Sequence, residues 1–423
     1  MTVTHGTSSG SNPGPLRTLK MGMIGVGVGG TEMLPAMDAM PELELFAGAD
    51  VNAETRARFK ERYPAARVFD SAEAMCKDPD LEAVWVSSPN RFHAEHAILA
   101  ANHGKHVVVE KPMALNLKEA AAMIEAAEKN NVFLLAGHTR SFTLPVRAMR
   151  KVLQSGRVGD LRAMTLVAYS DWMLRPRTAD ELDVNQGGGM VYRQGPHQID
   201  TVRVLGGGKV RSVRGYAGQW MPERSIPGYY SAFMEFENGV PAQITHNGYG
   251  YFMGAEMVQW GHANQRYTPE QRVEVRQQMH QGTRNEAFDK QELRIGGGIW
   301  QEIFKQEYRD PWVPEDLGIV IVSGERGDLR HSQYGIFVYD DEGTHDIELK
   351  PDRAMGPAQR RAELEELYEA VVNGKPLWHD GRWGMATLEV CLAIIESSRE
   401  RREVMLSHQV EIPADYDADF NEF

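Results

Sequence analysis

Two glycine runs, one lysine and one histidine are the residues whose types and spacing could do chemistry. Gly25-Val26-Gly27-Val28-Gly29-Gly30 fits G-x-G-x-x-G between an apolar strand-like run and a helix-like one. The first glycine permits the tight turn and the second lets a pyrophosphate approach the backbone. The third lets helix and strand pack closely, while the helix N-terminus stabilises the anion. Asp50 ends the next apolar run, where a carboxylate holds the ribose hydroxyls of NAD and repels the 2′-phosphate of NADP. Arg56 and Arg58 nearby weaken that preference slightly. The spacing predicts NAD held by Gly25, Val26, Gly27, Gly29, Gly30 and Asp50.

Lys111 follows the buried-strand run 106–109 and precedes Pro112. Ligands bind at the C-terminal ends of strands in doubly wound sheets, and partial burial would lower a lysine's pKa toward a useful range. His197 follows Gly187-Gly188-Gly189, and an imidazole's near-neutral pKa suits it to accept a hydroxyl proton. His93 and His138 also stand near strand ends and carry weaker claims.

The elements that must position these groups alternate in the first half. Strand-like runs at 19–24, 43–49, 83–87, 106–109 and 132–136 are separated by helix-like runs at 31–39, 51–63, 92–101 and 117–130. Asn116 and Glu119 form a capping box for the last of these helices. Near-continuous Val, Leu and Ile strands in βαβ order predict a parallel sheet covered on both faces. After about Ser141 the grammar changes. A helix over 145–154 leads to longer alternating runs at 161–169, 210–218, 232–237, 243–250, 317–322 and 335–339, with a hairpin signal at Glu237-Asn238-Gly239. This predicts an α/β Rossmann domain over 16–141, then an α+β domain over 142–423 with a large open, mostly antiparallel sheet. Helices are expected over 358–372 and 385–401. A Gln-rich excursion at 252–314 is too long for a plain loop and carries a helix start at Thr268-Pro269-Glu270-Gln271.

Composition sets limits around that plan. The 423 residues suit two or three domains, and 42% hydrophobic with 25% charged residues is an ordinary globular balance. A net charge of −13 makes nucleic acid or an anionic membrane a poor partner. Two cysteines, Cys76 and Cys391, cannot build a disulfide scaffold or a four-thiolate metal site. No apolar run reaches membrane-helix length, and residues 1–15 read as a disordered leader rather than a signal peptide. The expectation is a soluble cytoplasmic protein.

Ser88-Pro89-Asn90-Arg91-Phe92-His93, Gly104-Lys105-His106-Val107, Glu110-Lys111-Pro112 and Gly187-Gly188-Gly189 followed by Gly195, His197 and Asp200 resemble the Gfo/Idh/MocA oxidoreductases in order and spacing. The resemblance implies metal-free hydride transfer between a nicotinamide and a carbinol carbon, with Lys111 and His197 catalytic. It also implies a cis Lys111–Pro112 bond and further cofactor contacts at Ser88, Pro89, Asn90, His93 and Glu110. A homo-oligomer, dimer or tetramer, is implied through the open sheet.

One departure from the family pattern is informative. Sugar-oxidising members carry an aspartate four residues before the histidine, and this chain carries Arg193. A polyol pocket loses an acceptor by that change, whereas a carboxylate pocket gains a bidentate partner. Arg175, Arg177 and Arg140 lie at neighbouring family positions, with Arg147 just beyond, so an anionic substrate is expected. The stretches 171–200 and 379–384 are most similar to members that oxidise a carboxylated cis-dihydrodiol, phthalate 4,5-cis-dihydrodiol among them. A sugar, inositol or 3-keto-glycoside oxidoreductase and a non-enzymatic NAD-bound regulator are the alternatives.

Overall fold

The computed structural model describes residues 17–138, 140–260, 267–298, 312–314, 317–349, 358–418 and 420; the expected leader at 1–15 lies outside them. Six parallel strands form the first sheet: β1 (Leu19–Ile24), β2 (Leu43–Ala49), β3 (Arg67–Phe69), β4 (Ala83–Val86), β5 (His106–Glu110) and β6 (Leu134–Gly137). Their order is β3-β2-β1-β4-β5-β6, so the strand order reverses between β1 and β4. That reversal opens the crevice in which doubly wound sheets bind ligands. β4 and β6 are buried at every position and β5 at all but its first, as strands covered on both faces must be. The expected helix over 31–39 is instead two short ones, Val28–Thr31 and Leu34–Asp38. Pro35 is the reason: it has no N–H for a continuous helix and sits in the first turn of a new one. Asn116 caps its helix through the Glu119 N–H, while the Glu119 carboxylate takes the Leu115 N–H.

The second sheet has nine strands: β7 (Leu161–Tyr169), β8 (Val210–Gly218), β9 (Tyr229–Phe236), β10 (Pro241–Asn247), β11 (Ile319–Gly324), β12 (Gly327–His331), β13 (Gly335–Asp340), β14 (Gly343–Glu348) and β15 (Val404–Met405). Every pairing is antiparallel except β7 with β10. Burial alternates along β7, with Met164, Leu166 and Ala168 inward under helix Gly195–Gly206, while helix Leu144–Gln154 lies over β12 and β13. On the outer face Phe233 and Ile321 stay exposed. The hairpin at 237–239 is present, and Gly239 adopts φ +81.

The C-terminal segment returns to the first sheet. Helix Ala358–Asn373 buries Leu364, Leu367 and Tyr368 in the same apolar cluster as β1 residues Leu19, Met21 and Met23. Beside β6, the Ala136 N–H donates to His379 O at 2.9 Å. The His379 imidazole pairs with Glu366 at 2.7 Å; burial disfavours its charge, but that carboxylate outweighs burial and raises its pKa. These contacts lock the two domains around the crevice. Among the described residues, no helix is long and apolar enough to cross a membrane.

Candidate active site

The glycine loop has the shape a pyrophosphate requires. Gly25 sits at φ +89, and an added Cβ there would lie 2.9 Å from Ser88 N. At Gly30 a Cβ would meet Gly25 O at 2.4 Å, whereas at Gly27 it would meet nothing within 4 Å. The first and third glycines therefore permit close backbone packing, and the second faces open space. Asp50 ties its strand end to this loop, accepting from Val26 N–H at 3.2 Å and Asn52 N–H at 2.8 Å. The two nearby arginines are engaged: Arg56 donates to Asp50 O at 2.8 Å, and Arg58 pairs with Glu54 at 2.8 Å. Neither is held out as a partner for a 2′-phosphate, so the donor set fits NAD. Asp50→Ser should narrow the NAD-over-NADP preference by about tenfold, read as the ratio of the two kcat/KM values. Unchanged cofactor selectivity would remove Asp50 from the ribose site.

The β4 and β5 ends bring the next residues together. His93 is buried, with Nδ1 at 2.8 Å from Pro112 O and Nε2 at 2.7 Å from Ser88 O. Burial lowers its pKa, and both ring nitrogens are committed to the backbone. It therefore staples the 88–89 turn to the cis Lys111–Pro112 bond instead of reaching for a cofactor. Ser88 Oγ lies 2.9 Å from His96 Nδ1. Asn90 Nδ2 donates to Gly187 O at 3.2 Å, and its Oδ1 faces the Arg193 guanidinium at 3.4 Å. Glu110 is bound by Arg360 at 2.9 Å, and Arg360 also holds Glu32 at 2.8 Å. Pro89, the residue before this turn's helix, is extended at φ −55, ψ 143.

Lys111 is partly buried, and its Nζ donates to Arg193 O at 3.1 Å. Burial pulls its pKa down to about 8, with Arg193 and Arg360 adding to burial and Glu110 opposing it. His197 is the third residue of helix Gly195–Gly206, which is buried throughout. Burial, reinforced by Lys111 and Arg140, holds its pKa well below the usual value. Among the described residues its Nδ1 is buried without a hydrogen-bond partner. Lys111 and Arg140 thus stand near enough to His197 for their charges to bear on its imidazole, which is held neutral. Beneath it, burial brings His138 down to about 4, and its Nδ1 lies 3.7 Å from Asp200 Oδ1. Asp200 takes the Trp383 indole N–H at 2.5 Å. The triple glycine lets the loop before this helix pack closely on its neighbours. A Cβ on Gly187 would meet the Leu115 side chain at 2.6 Å, and one on Gly188 would meet Asp183 O at 2.7 Å.

The arginines do not stand as free cations. Arg175 Nε pairs with Asp171 at 3.0 Å. Arg177 is buried over the Trp172 ring, 3.8 Å from its centroid, and donates to Trp172 O at 2.9 Å. Glu181 faces Arg177 at 3.4 Å, Arg193 at 3.0 Å and Lys290 at 2.8 Å. Burial alone would raise the Glu181 pKa, but the three cations hold it far below the usual carboxylate range. Three cations on one carboxylate leave the cluster positive, and Arg177 Nε is buried with no acceptor. Arg147 lies elsewhere, paired with Asp417 at 2.7 Å.

Sequence reasoning missed Glu181, Lys290 and Arg360. Glu181 stands four residues after Arg177, a spacing that could have flagged it. The other two come from far along the chain, and only the fold places them here.

Residues 19–138 match the profile of the oxidoreductase family with an NAD-binding Rossmann fold, GFO_IDH_MocA, and residues 146–256 match the GFO/IDH/MocA C-terminal domain. The chain is 33% identical over 386 residues to 1-carboxy-3-chloro-3,4-dihydroxycyclohexa-1,5-diene dehydrogenase of Comamonas testosteroni, covering 90% of this chain and 95% of that one. Levoglucosan dehydrogenase of Pseudarthrobacter phenanthrenivorans is 28% identical over 222 residues, covering 50% of this chain and 57% of its own length. Among solved structures, a putative dehydrogenase from Bordetella bronchiseptica RB50 superposes with a TM-score of 0.82 at 34% identity, covering 92% of this chain and all of that one. Levoglucosan dehydrogenase in complex with NADH and levoglucosan has a TM-score of 0.72 at 19% identity, over 92% of this chain and 99% of that one, and shares the fold.

Proposed function

This chain belongs to the Gfo/Idh/MocA family of NAD-dependent oxidoreductases, and from that membership we propose that it oxidises a carboxylated cis-dihydrodiol. The specific reaction we assign is phthalate 4,5-cis-dihydrodiol to 4,5-dihydroxyphthalate.

One observation carries this reading. The cluster beside Lys111 sets Arg177, Arg193 and Lys290 against the single carboxylate of Glu181. In a chain of net charge −13, a buried positive surplus next to the reacting groups suits an anionic substrate. The Comamonas relative, whose name specifies a carboxy-substituted dihydroxycyclohexadiene, supports the same chemistry. Sugar and inositol oxidation fit less well, because Arg193 donates where a polyol pocket needs an acceptor.

When bound at the glycine loop, NAD supplies the hydride acceptor. The chain's own groups handle the proton and the orientation. Lys111, with a pKa of about 8, is the group matched to take the hydroxyl proton near neutral pH, since a base works best when its pKa lies near the operating pH. His197 stays neutral and offers its Nδ1 to the same hydroxyl or its neighbour. Arg193 meets a ring carboxylate, which fixes which carbinol carbon faces the nicotinamide site. Loss of hydride and proton leaves a hydroxy-dienone, and its tautomerisation to a catechol draws the reaction forward.

A substrate panel tests the assignment. The carboxylated dihydrodiol should be oxidised with a kcat/KM at least about a hundredfold above myo-inositol, glucosides and levoglucosan, because only a carboxylate gains the charge-assisted contact with Arg193. Comparable or higher efficiency on any of those polyols would overturn it.

A further inference from the structure

The 252–314 excursion reaches the site. Its helix Pro269–Gln281 starts with the expected capping box, Thr268 and Gln271 serving each other's backbone N–H. Arg276 then anchors it by donating to Gly250 O at 2.9 Å. The short helix Glu286–Glu292 that follows is fixed from below: Glu286 accepts from the Arg177 backbone N–H at 2.7 Å and pairs with the buried Arg224 at 2.9 Å. The next residues cross to the other domain. Ile295 is 1% exposed within the β1 core cluster, and Arg58 donates to its carbonyl at 3.3 Å. The described stretch 267–298 is therefore anchored on both the substrate domain and the cofactor domain. Between those anchors it delivers a single ammonium group, Lys290 Nζ, 2.8 Å from Glu181 Oε2.

We propose that Lys290 is a positioning residue that sets specificity for an anionic substrate, by neutralising Glu181 so that the Arg193 guanidinium is left to meet a substrate carboxylate. The inference rests on the anionic-substrate reading above. Its geometry is a division of labour between two oxygens. Glu181 Oε1 faces Arg177 and Arg193, while Oε2 takes Lys290 together with the Thr178 N–H and hydroxyl. Without Lys290 the full carboxylate charge would fall on the two arginines, and the field they present to an incoming anion would drop by one unit. Only 15% of the Lys290 side chain is exposed, so solvent screens this charge weakly. Burial and the neighbouring arginines lower its pKa, as expected of a cation brought into a positive cluster.

Lys290→Gln and Lys290→Arg in the full-length enzyme test this. Phthalate dianion is titrated into the enzyme–NAD complex by calorimetry, and kinetics are run on the carboxylated dihydrodiol and on the same diol without carboxylates. Removing one weakly screened charge should weaken phthalate binding about tenfold and raise KM for the carboxylated diol by a similar factor. The kcat, the NAD affinity and the KM for the uncharged diol should stay within about twofold, and the Arg variant should restore most of the phthalate affinity. Unchanged phthalate affinity, equal losses on both diols, or no rescue by Arg would each overturn the role of Lys290. If unmodified enzyme oxidises no carboxylated dihydrodiol, the proposed reaction fails instead, and the phthalate titration still reads Lys290 on its own.

Discussion

Lys111→Met is expected to lower kcat by roughly 10²–10⁴-fold, the usual range for removing a positioned acid or base, while leaving NAD affinity nearly intact. The lysine follows the last residue of β5, so a methionine of similar length can replace it without breaking a strand hydrogen bond. The pH dependence separates the two candidates for the proton. A general base acts only when deprotonated. With Lys111 near 8, about one molecule in a hundred carries the free amine at pH 6, and most do above pH 9. The kcat/KM of unmodified enzyme should therefore climb about tenfold per pH unit from 6 and level off above about 8. His197 is held well below its ordinary pKa and is neutral across that whole range. A flat profile from pH 6 to 9 would place the proton on His197 and leave Lys111 as a hydrogen-bond donor only.

The second large effect is expected at Arg193. If its guanidinium pairs with a substrate carboxylate inside a partly enclosed pocket, Arg193→Ala should cost on the order of 2–4 kcal/mol in binding or transition-state stabilisation. The Lys variant should recover only part, because an ammonium cannot form the planar fork. Arg193→Asp should do worst, adding repulsion while placing a second carboxylate beside Glu181. Folding should survive the Ala change, since Glu181 keeps Arg177 and Lys290 at 3.4 and 2.8 Å. The loss should appear on the dicarboxylated diol and not on the diol lacking carboxylates. Equal losses on both would mean that the Arg193 side chain serves only to hold the loop through Asn90 and Glu181.

How much of this could be read before folding depends on how local the signal is. The Rossmann half was legible because its strands are continuous apolar runs and its loop chemistry is written in adjacent residues: the glycine spacing, Asp50 at a strand end, Asn116 at a helix start. β12 and β14 were not anticipated, because their polar residues, Asp328, Arg330 and Asp346 among them, hide the alternation that marks a half-buried strand. Helix Gly195–Gly206 was missed for the opposite reason. It is buried all round, so it has no amphipathic period, and a glycine and a proline open it.

The candidate site divides along the same line. Lys111 and His197 could be picked out by their place after a strand and a glycine run, and the fold joins them. The arginines were legible as a group but not in their pairing. Asp171 and Glu181 lie among them in sequence, yet only the folded loop shows that Arg175 belongs to the first and that Arg177 and Arg193 share the second. Lys290 and Arg360 are separated from their partners by 109 and 250 residues, a distance across which no local pattern operates.

Transfer of deuterium from substrate to cofactor decides whether the carboxylated dihydrodiol is the hydride donor. Phthalate 4,5-cis-dihydrodiol labelled with deuterium at its two carbinol carbons is incubated with the enzyme and NAD, and the reduced cofactor and aromatic product are weighed by mass spectrometry. Each NADH formed should carry one deuterium, with one 4,5-dihydroxyphthalate per NADH and a slower rate than with unlabelled diol when hydride transfer limits turnover. NADH without deuterium, or no reduction of NAD by this diol under conditions where a neutral polyol reduces it, would contradict the account.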